Sequence, residues 1–167
     1  LFLDTISLAE FWRSKCDLPN FSENFSARAV LATDWLFQVT DPTTGDAPNL
    51  GANDGAQLIQ LADSDYRDFR PSVQLASVLF QKKRVYAKEC DGVLRWLRID
   101  TEKYPETEIN RCSKLFEDGA YATFIGDSCS GTLRFPKFSF RPSHADLMHL
   151  EIMDRGIPII RDGGTYS

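Results

Sequence analysis

The residues of this chain that could carry acid–base or metal chemistry are concentrated near its end. Both histidines of the sequence, His144 and His149, lie there, together with Asp146, Asp162 and Tyr166. A histidine beside a carboxylate can transfer protons near neutral pH or bind a metal ion, and a tyrosine hydroxyl can also transfer a proton. This stretch is therefore the first candidate site.

The elements that must position these residues form a predicted β-hairpin. Apolar residues alternate with His149 and Glu151 between positions 148 and 152, which is the period-two pattern of a half-buried strand. Residues 154–156, Asp-Arg-Gly, have the composition of a short turn, and a second apolar run follows at 157–160. The candidate residues thus lie at the outer ends of the hairpin.

His144 and Asp162 are the candidate metal ligands, because zinc is commonly bound by histidine and carboxylate groups. In an unbroken hairpin Asp162 pairs with Met148, which is four residues, or about 13 Å at the rise of a strand, from His144. Joint ligation therefore requires a bend or a bulge, and a third ligand from elsewhere. A hydrogen-bonded structural pair is the alternative that stays open.

A basic segment precedes the hairpin. Residues 130–144 contain Arg134, Lys137 and Arg141 but no acidic residue. In a predicted strand over 137–141 the basic side chains share one face and two phenylalanines share the other. Arginine forks match carboxylate and sulfate groups, so this face favours a site for acidic sugars. An ordinary solvated strand face is the alternative.

A second polar segment, at 43–56, is dense in Asn, Asp and Gly. Its side chains Asn49, Asn53 and Asp54, with the backbone N–H groups of the loop, could bind the hydroxyls and carboxylates of a sugar. A surface connector is the alternative interpretation.

The rest of the chain is predicted to form helices and then strands, an α+β fold. Periodicity predicts helices over 3–15, 22–39, 72–83, 93–99 and 106–116, and strands over 120–125, 131–135 and 137–141. The predicted domains are a helical one over 1–118 and an antiparallel β-domain over 119–167.

The composition bounds the class of protein. Of 167 residues, 43% are hydrophobic and 12% aromatic, as in a globular chain. The net charge of −5 argues against a general nucleic-acid binder, and no apolar run approaches the roughly 20 residues of a membrane span. The four cysteines form no Cys-x-x-Cys pair, which favours free thiols.

We expect the chain to be an internal fragment, because it begins and ends inside secondary-structure patterns. Its compartment and its oligomeric state stay open.

Two separated stretches resemble the heparinase II/III-like proteins, which are polysaccharide lyases and their relatives. The first is Pro-Asn-Leu-Gly-Ala-Asn-Asp-Gly-Ala at 48–56. The second is His-Ala-Asp at 144–146, then a strand, a glycine turn and Arg-Asp-Gly-Gly-Thr-Tyr-Ser at 161–167. The resemblance covers most of the chain and is also strong at 67–80.

This resemblance implies the end of an α/α toroid followed by the start of an antiparallel β-sandwich. It implies a lyase that cleaves uronic-acid-containing acidic polysaccharide by β-elimination, with a fragment of this extent inactive alone. Some members bind a metal in the β-domain, at positions matching His144 and Asp162, so zinc is the implied cofactor. His144 and Tyr166 are the implied catalytic candidates, and the substrate-binding candidates are Asn49, Asn53, Asp54, Arg70, Arg134 and Arg141.

The chain departs from the family pattern at Pro142. Lyases of the family carry a further histidine at that position, and proline can neither donate nor accept a proton. A non-catalytic polysaccharide-binding protein, or one associated with surface-polysaccharide biosynthesis, is therefore the second hypothesis. A helical interaction module with a β-appendage is the third.

Overall fold

The computed structural model describes residues 1–50, 57–61, 63–137 and 147–163. They belong to two compact units that interleave along the chain. Unit 1, which is helical, comprises residues 1–37 and 57–109, and unit 2, which contains the sheet, comprises 38–56 and 110–167. The fold is α+β. A single boundary near residue 118 does not describe this division, because a loop from the first third of the chain clusters with the strands.

Four of the predicted helices are present with shifted ends, and all but the last two residues of the second helix belong to unit 1. The described helices are α1 (Phe2–Lys15), α2 (Glu23–Val39), α3 (Arg70–Ala76, continued by a π-helical turn at Ser77–Gln81) and α4 (Gly92–Trp96). Pro71 occupies the first turn of α3, where its missing N–H costs nothing. The helical run ends at Lys82, whose φ of 59° is left-handed. Leu75, Val78, Val93 and Leu94 form the core of this unit. Across the described ranges, no helix combines the length and apolarity needed to cross a bilayer.

The predicted helix over 106–116 is wrong. Lys114–Phe116 forms strand β1, and Glu106 instead bridges to Arg84. The backbone of residues 114–116 pairs with residues 121–123 across a four-residue turn. Sheet pairing therefore overrides a weak local helix preference.

Unit 2 contains an antiparallel sheet. Its described strands, in spatial order, are β1 (Lys114–Phe116), β2 (Tyr121–Ile125), β3 (Cys129–Arg134), β4 (His149–Asp154) and β5 (Ile157–Ile160). The predicted hairpin is confirmed as β4–β5. Most of the predicted strand 137–141 lies outside the described residues.

The β4–β5 hairpin has a tight turn and a bulge. Arg155 and Gly156 form a two-residue connection with φ values of 48° and 78°, as a type I′ turn requires. The register shifts between Ile152 and Met153, so that two residues of β5 oppose one of β4 at this point. Because of this bulge, Arg161 reaches Glu151.

The two faces of the sheet invert the usual arrangement. Glu151, Thr123 and Thr132 are buried on one face. On the other face Phe124 is 49% exposed and Leu150 is 39% exposed. The period-two pattern thus predicts a half-buried strand correctly. The buried side combines these polar residues with Met153, and residues from the 38–50 segment contact it.

Candidate functional site

The buried polar face of unit 2 is centred on Glu151, whose side chain is 2% exposed. Its Oε1 accepts a hydrogen bond of 2.6 Å from the backbone N–H of Asn49 and lies 3.3 Å from His149 Nε2. Its Oε2 accepts a hydrogen bond of 3.2 Å from Arg161 Nε. A buried carboxylate requires such partners, and here they come from three segments.

Two further residues, Asp46 and Asp162, complete what we call the Glu151 cluster: Asp46, Asn49, His149, Glu151, Arg161 and Asp162. Arg161 Nη1 forms a 2.6 Å ion pair with Asp46 Oδ2. The ring nitrogen His149 Nδ1 lies 3.8 Å from Asp162 Oδ2. The side-chain amide of Asn49 donates to the backbone oxygen of Asp162 over 3.4 Å. The cluster therefore joins the 38–50 segment to the end of the hairpin.

The loop that supplies Asp46 and Asn49 is ordered by its own hydrogen bonds. Asp41 Oδ1 accepts from the backbone N–H groups of Thr43 and Thr44, and the N–H of Gly45 donates to Asp41 O. Arg111 Nη1 donates to Thr40 O over 3.0 Å. The Asn49 amide is thus presented to Glu151 by a preorganised turn rather than by a loose connector.

The charges of the Glu151 cluster define its chemistry. Three carboxylates face one arginine and one histidine, so a proton on His149 reduces the net negative charge of the cluster. Both ring nitrogens of His149 face carboxylates, and its side chain is 8% exposed. The arrangement can hold the imidazole in one orientation, with a carboxylate near each ring nitrogen.

The structure places four of the predicted site residues. Asn49 and Asp162 meet in the Glu151 cluster. Arg134 is the cross-strand neighbour of His149, with its guanidinium carbon 5.7 Å from the centre of the Tyr121 ring. Arg70 belongs to unit 1, where its Nε and Nη2 donate to the carboxylate of Asp68 over 2.9 and 2.8 Å. This hydrogen bond raises the pKa of Arg70.

The other candidates, Asn53, Asp54, Arg141, His144 and Tyr166, lie outside the described residues. Of the predicted zinc pair only Asp162 is therefore described, and its carboxylate faces His149. Within the described ranges, no three His, Cys, Asp or Glu side chains are grouped so that they could hold a metal ion. The zinc site stays a prediction that depends on His144.

Sequence reasoning missed the central role of Glu151 and the participation of Asp46 and Arg161. The alternation of His149 and Glu151 was the available signal, since two polar residues on one strand face can be buried as well as solvated. No sequence pattern indicates that Arg161 lies opposite Glu151, because this pairing depends on the bulge.

Comparison with known proteins adds no family assignment to this description. The chain matches no protein-family model, no curated protein and no solved structure. The geometry therefore defines only the class: an α+β protein whose sheet carries a buried His–carboxylate–arginine cluster.

The four cysteines are free thiols and differ in exposure. Cys16, Cys112 and Cys129 are exposed, whereas Cys90 is half-buried, and burial raises its pKa. A raised pKa means a smaller thiolate fraction at pH 8, so we expect Cys90 to be alkylated by iodoacetamide more slowly than the other three. Peptide mass spectrometry over a time course measures this. Equal rates at all four positions would contradict the burial of Cys90.

Proposed function

We propose that this chain belongs to a heparinase II/III-like lyase that cleaves uronic-acid-containing polysaccharide by β-elimination. The observation that carries the proposal is the meeting of two stretches that resemble that family. Asn49 of the first stretch donates from its side chain to Asp162 of the second, 113 residues away in sequence. Chance similarity in two distant stretches gives no reason for them to be in contact.

The architecture proposed for the family agrees with features of each unit. We assign the helices of unit 1 to the end of an α/α toroid and the sheet of unit 2 to one layer of a β-sandwich. Leu115, Phe124 and Leu150 leave an apolar sheet face exposed, and such a face suits packing against a second sheet.

The proposed reaction has three requirements, for which this chain offers candidates. A cation must neutralise the uronate carboxylate, a base must remove the C5 proton, and an acid must protonate the leaving glycosidic oxygen. Arg134 and Arg141 are the candidates for the cation. His144 and Tyr166 are the candidates for proton transfer, and zinc bound through His144 and Asp162 would stabilise this part of the β-domain.

The second candidate function is non-catalytic binding of polysaccharide, or a part in surface-polysaccharide biosynthesis. Pro142 favours it, because it stands where the lyases have a histidine. Ultraviolet absorbance of unsaturated product separates the two functions when the full-length protein is incubated with alginate, heparan sulfate and hyaluronan. Growing absorbance supports the lyase, and binding without it supports the second candidate.

Arg134→Ala is expected to weaken the binding of these acidic polymers by about 1.5–3 kcal/mol, because a charge-assisted hydrogen bond is lost. Isothermal titration calorimetry measures the affinity. Lys114→Ala is the matched control: it removes a cation that lies 5.0 Å from the Phe116 ring on the same sheet. Equal losses in the two variants would show a general charge effect, and no loss for Arg134→Ala would remove Arg134 from the site.

A further inference from the structure

Helix α4 ends with an arginine in a conformation that usually belongs to glycine. The N–H of Arg98 donates to Arg95 O over 3.0 Å and the N–H of Ile99 to Leu94 O over 2.9 Å, which are the two hydrogen bonds of a Schellman motif. Arg98 takes the left-handed position of this motif, with φ of 52°. A Cβ atom is disfavoured there, so glycine would be the more stable residue at this position.

Helix α4 has one buried side and one exposed side. Val93 and Leu94 are buried in the core of unit 1. On the outward side, three residues are exposed: Arg95, Trp96 and Arg98. Trp96 is 71% exposed, the largest value among the large hydrophobic residues that the structure describes. Together the three residues line an open groove of about 670 Å³, whose other lining residues are Leu61, Asp63 and Gly92.

We propose that this groove is a binding subsite for acidic polysaccharide, separate from the Glu151 cluster. The inference rests on the proposed function and extends it to unit 1. An exposed tryptophan offers an apolar surface on which a sugar ring can stack. Two guanidinium groups beside it match the carboxylate or sulfate groups of the sugar, and Asp63 can accept a hydrogen bond from a hydroxyl.

The charge of the groove favours an acidic polysaccharide over an apolar ligand. The groove has two arginines against one aspartate, whereas the whole chain has a net charge of −5. Such a local excess of positive charge in an acidic protein attracts an anionic polymer. The groove thus combines the exposed indole of Trp96 with Arg95 and Arg98. Neither arginine forms a salt bridge with another of the residues that the structure describes.

Arg98→Gly and Trp96→Ala in the full-length protein test the subsite. Glycine is the preferred residue at the left-handed position, so Arg98→Gly removes the charge without weakening the helix end. Trp12→Ala is the control, because Trp12 is also an exposed tryptophan of unit 1, at 59%, but does not line the groove. Calorimetry with alginate, heparan sulfate and neutral dextran, together with the melting temperature of each variant, gives the readouts.

We expect Arg98→Gly and Trp96→Ala each to weaken binding of the acidic polymers by about tenfold or more, the loss of one charge-assisted or stacking contact. Trp12→Ala should bind as the wild type does, and Arg98→Gly should melt at the same temperature or higher. Wild-type affinity in both groove variants overturns the subsite and leaves the proposed function standing. Equal losses with dextran overturn its preference for acidic sugars. A wild-type protein that binds neither acidic polymer overturns both proposals.

Discussion

Glu151→Ala is expected to destabilise unit 2 by about 3–5 kcal/mol, the largest effect of any substitution considered. The substitution leaves the guanidinium of Arg161 beside one carboxylate instead of two, and it removes the acceptor of the Asn49 N–H group. Both groups are then held away from water without their full set of partners. Urea denaturation followed by circular dichroism measures the loss.

Two further variants locate the origin of this effect. Glu117→Ala removes an exposed carboxylate of the same unit, so its effect should stay within about 0.5 kcal/mol. In a double-mutant cycle, Glu151→Ala combined with Arg161→Ala should cost less than the sum of the two single changes, because neither charge is left alone. Simple additivity would contradict the pairing of Glu151 and Arg161.

Gly156→Ala is expected to cost about 2–4 kcal/mol, from two sources that add. The residue has φ of 78°, where a Cβ atom adds about 1 kcal/mol of strain. The new Cβ would also lie 2.8 Å from Thr44 Cγ2 and 3.3 Å from Asp41 Oδ1, and overpacking of this kind costs about 1–3 kcal/mol. The same denaturation experiment measures the total.

The two sources can be separated. Thr44→Ser removes Cγ2 but keeps the hydroxyl that donates to Asp41, so in this background Gly156→Ala should lose the clash with Cγ2 and retain the strain and the 3.3 Å contact with Asp41 Oδ1. Gly163→Ala is the matched control, since a Cβ there meets no atom of the described residues within 4 Å. A destabilisation by Gly163→Ala as large as that by Gly156→Ala would show that the contact with Thr44 is not the cause.

The hairpin and the long helices could be predicted from the sequence because their signals are local. The turn contains Gly156, which readily takes positive φ, and α1 and α2 are long segments without glycine or proline. Strand β1 could not be predicted, because three residues gain their conformation only from pairing with β2.

The Glu151 cluster could be predicted only in part, for a similar reason. Residue type alone indicates Asn49 and Asp162, as possible ligands for a sugar and a metal. Their actual contacts depend on which face of the sheet is covered, and that is decided by a loop about 100 residues before the strand in sequence. The bulge adds a second non-local condition, because it sets the side on which Arg161 lies.

The interleaving of the two units has a consequence for the order of folding. The hydrogen bond between Asn49 and Glu151 closes a loop of 102 residues, and residues 57–109 within that loop belong to unit 1. The entropy lost on closure grows with the length of flexible chain, and a segment that has already folded no longer counts as flexible. Folding of residues 57–109 within unit 1 therefore shortens the flexible chain in this loop and lowers the entropic barrier to assembly of unit 2.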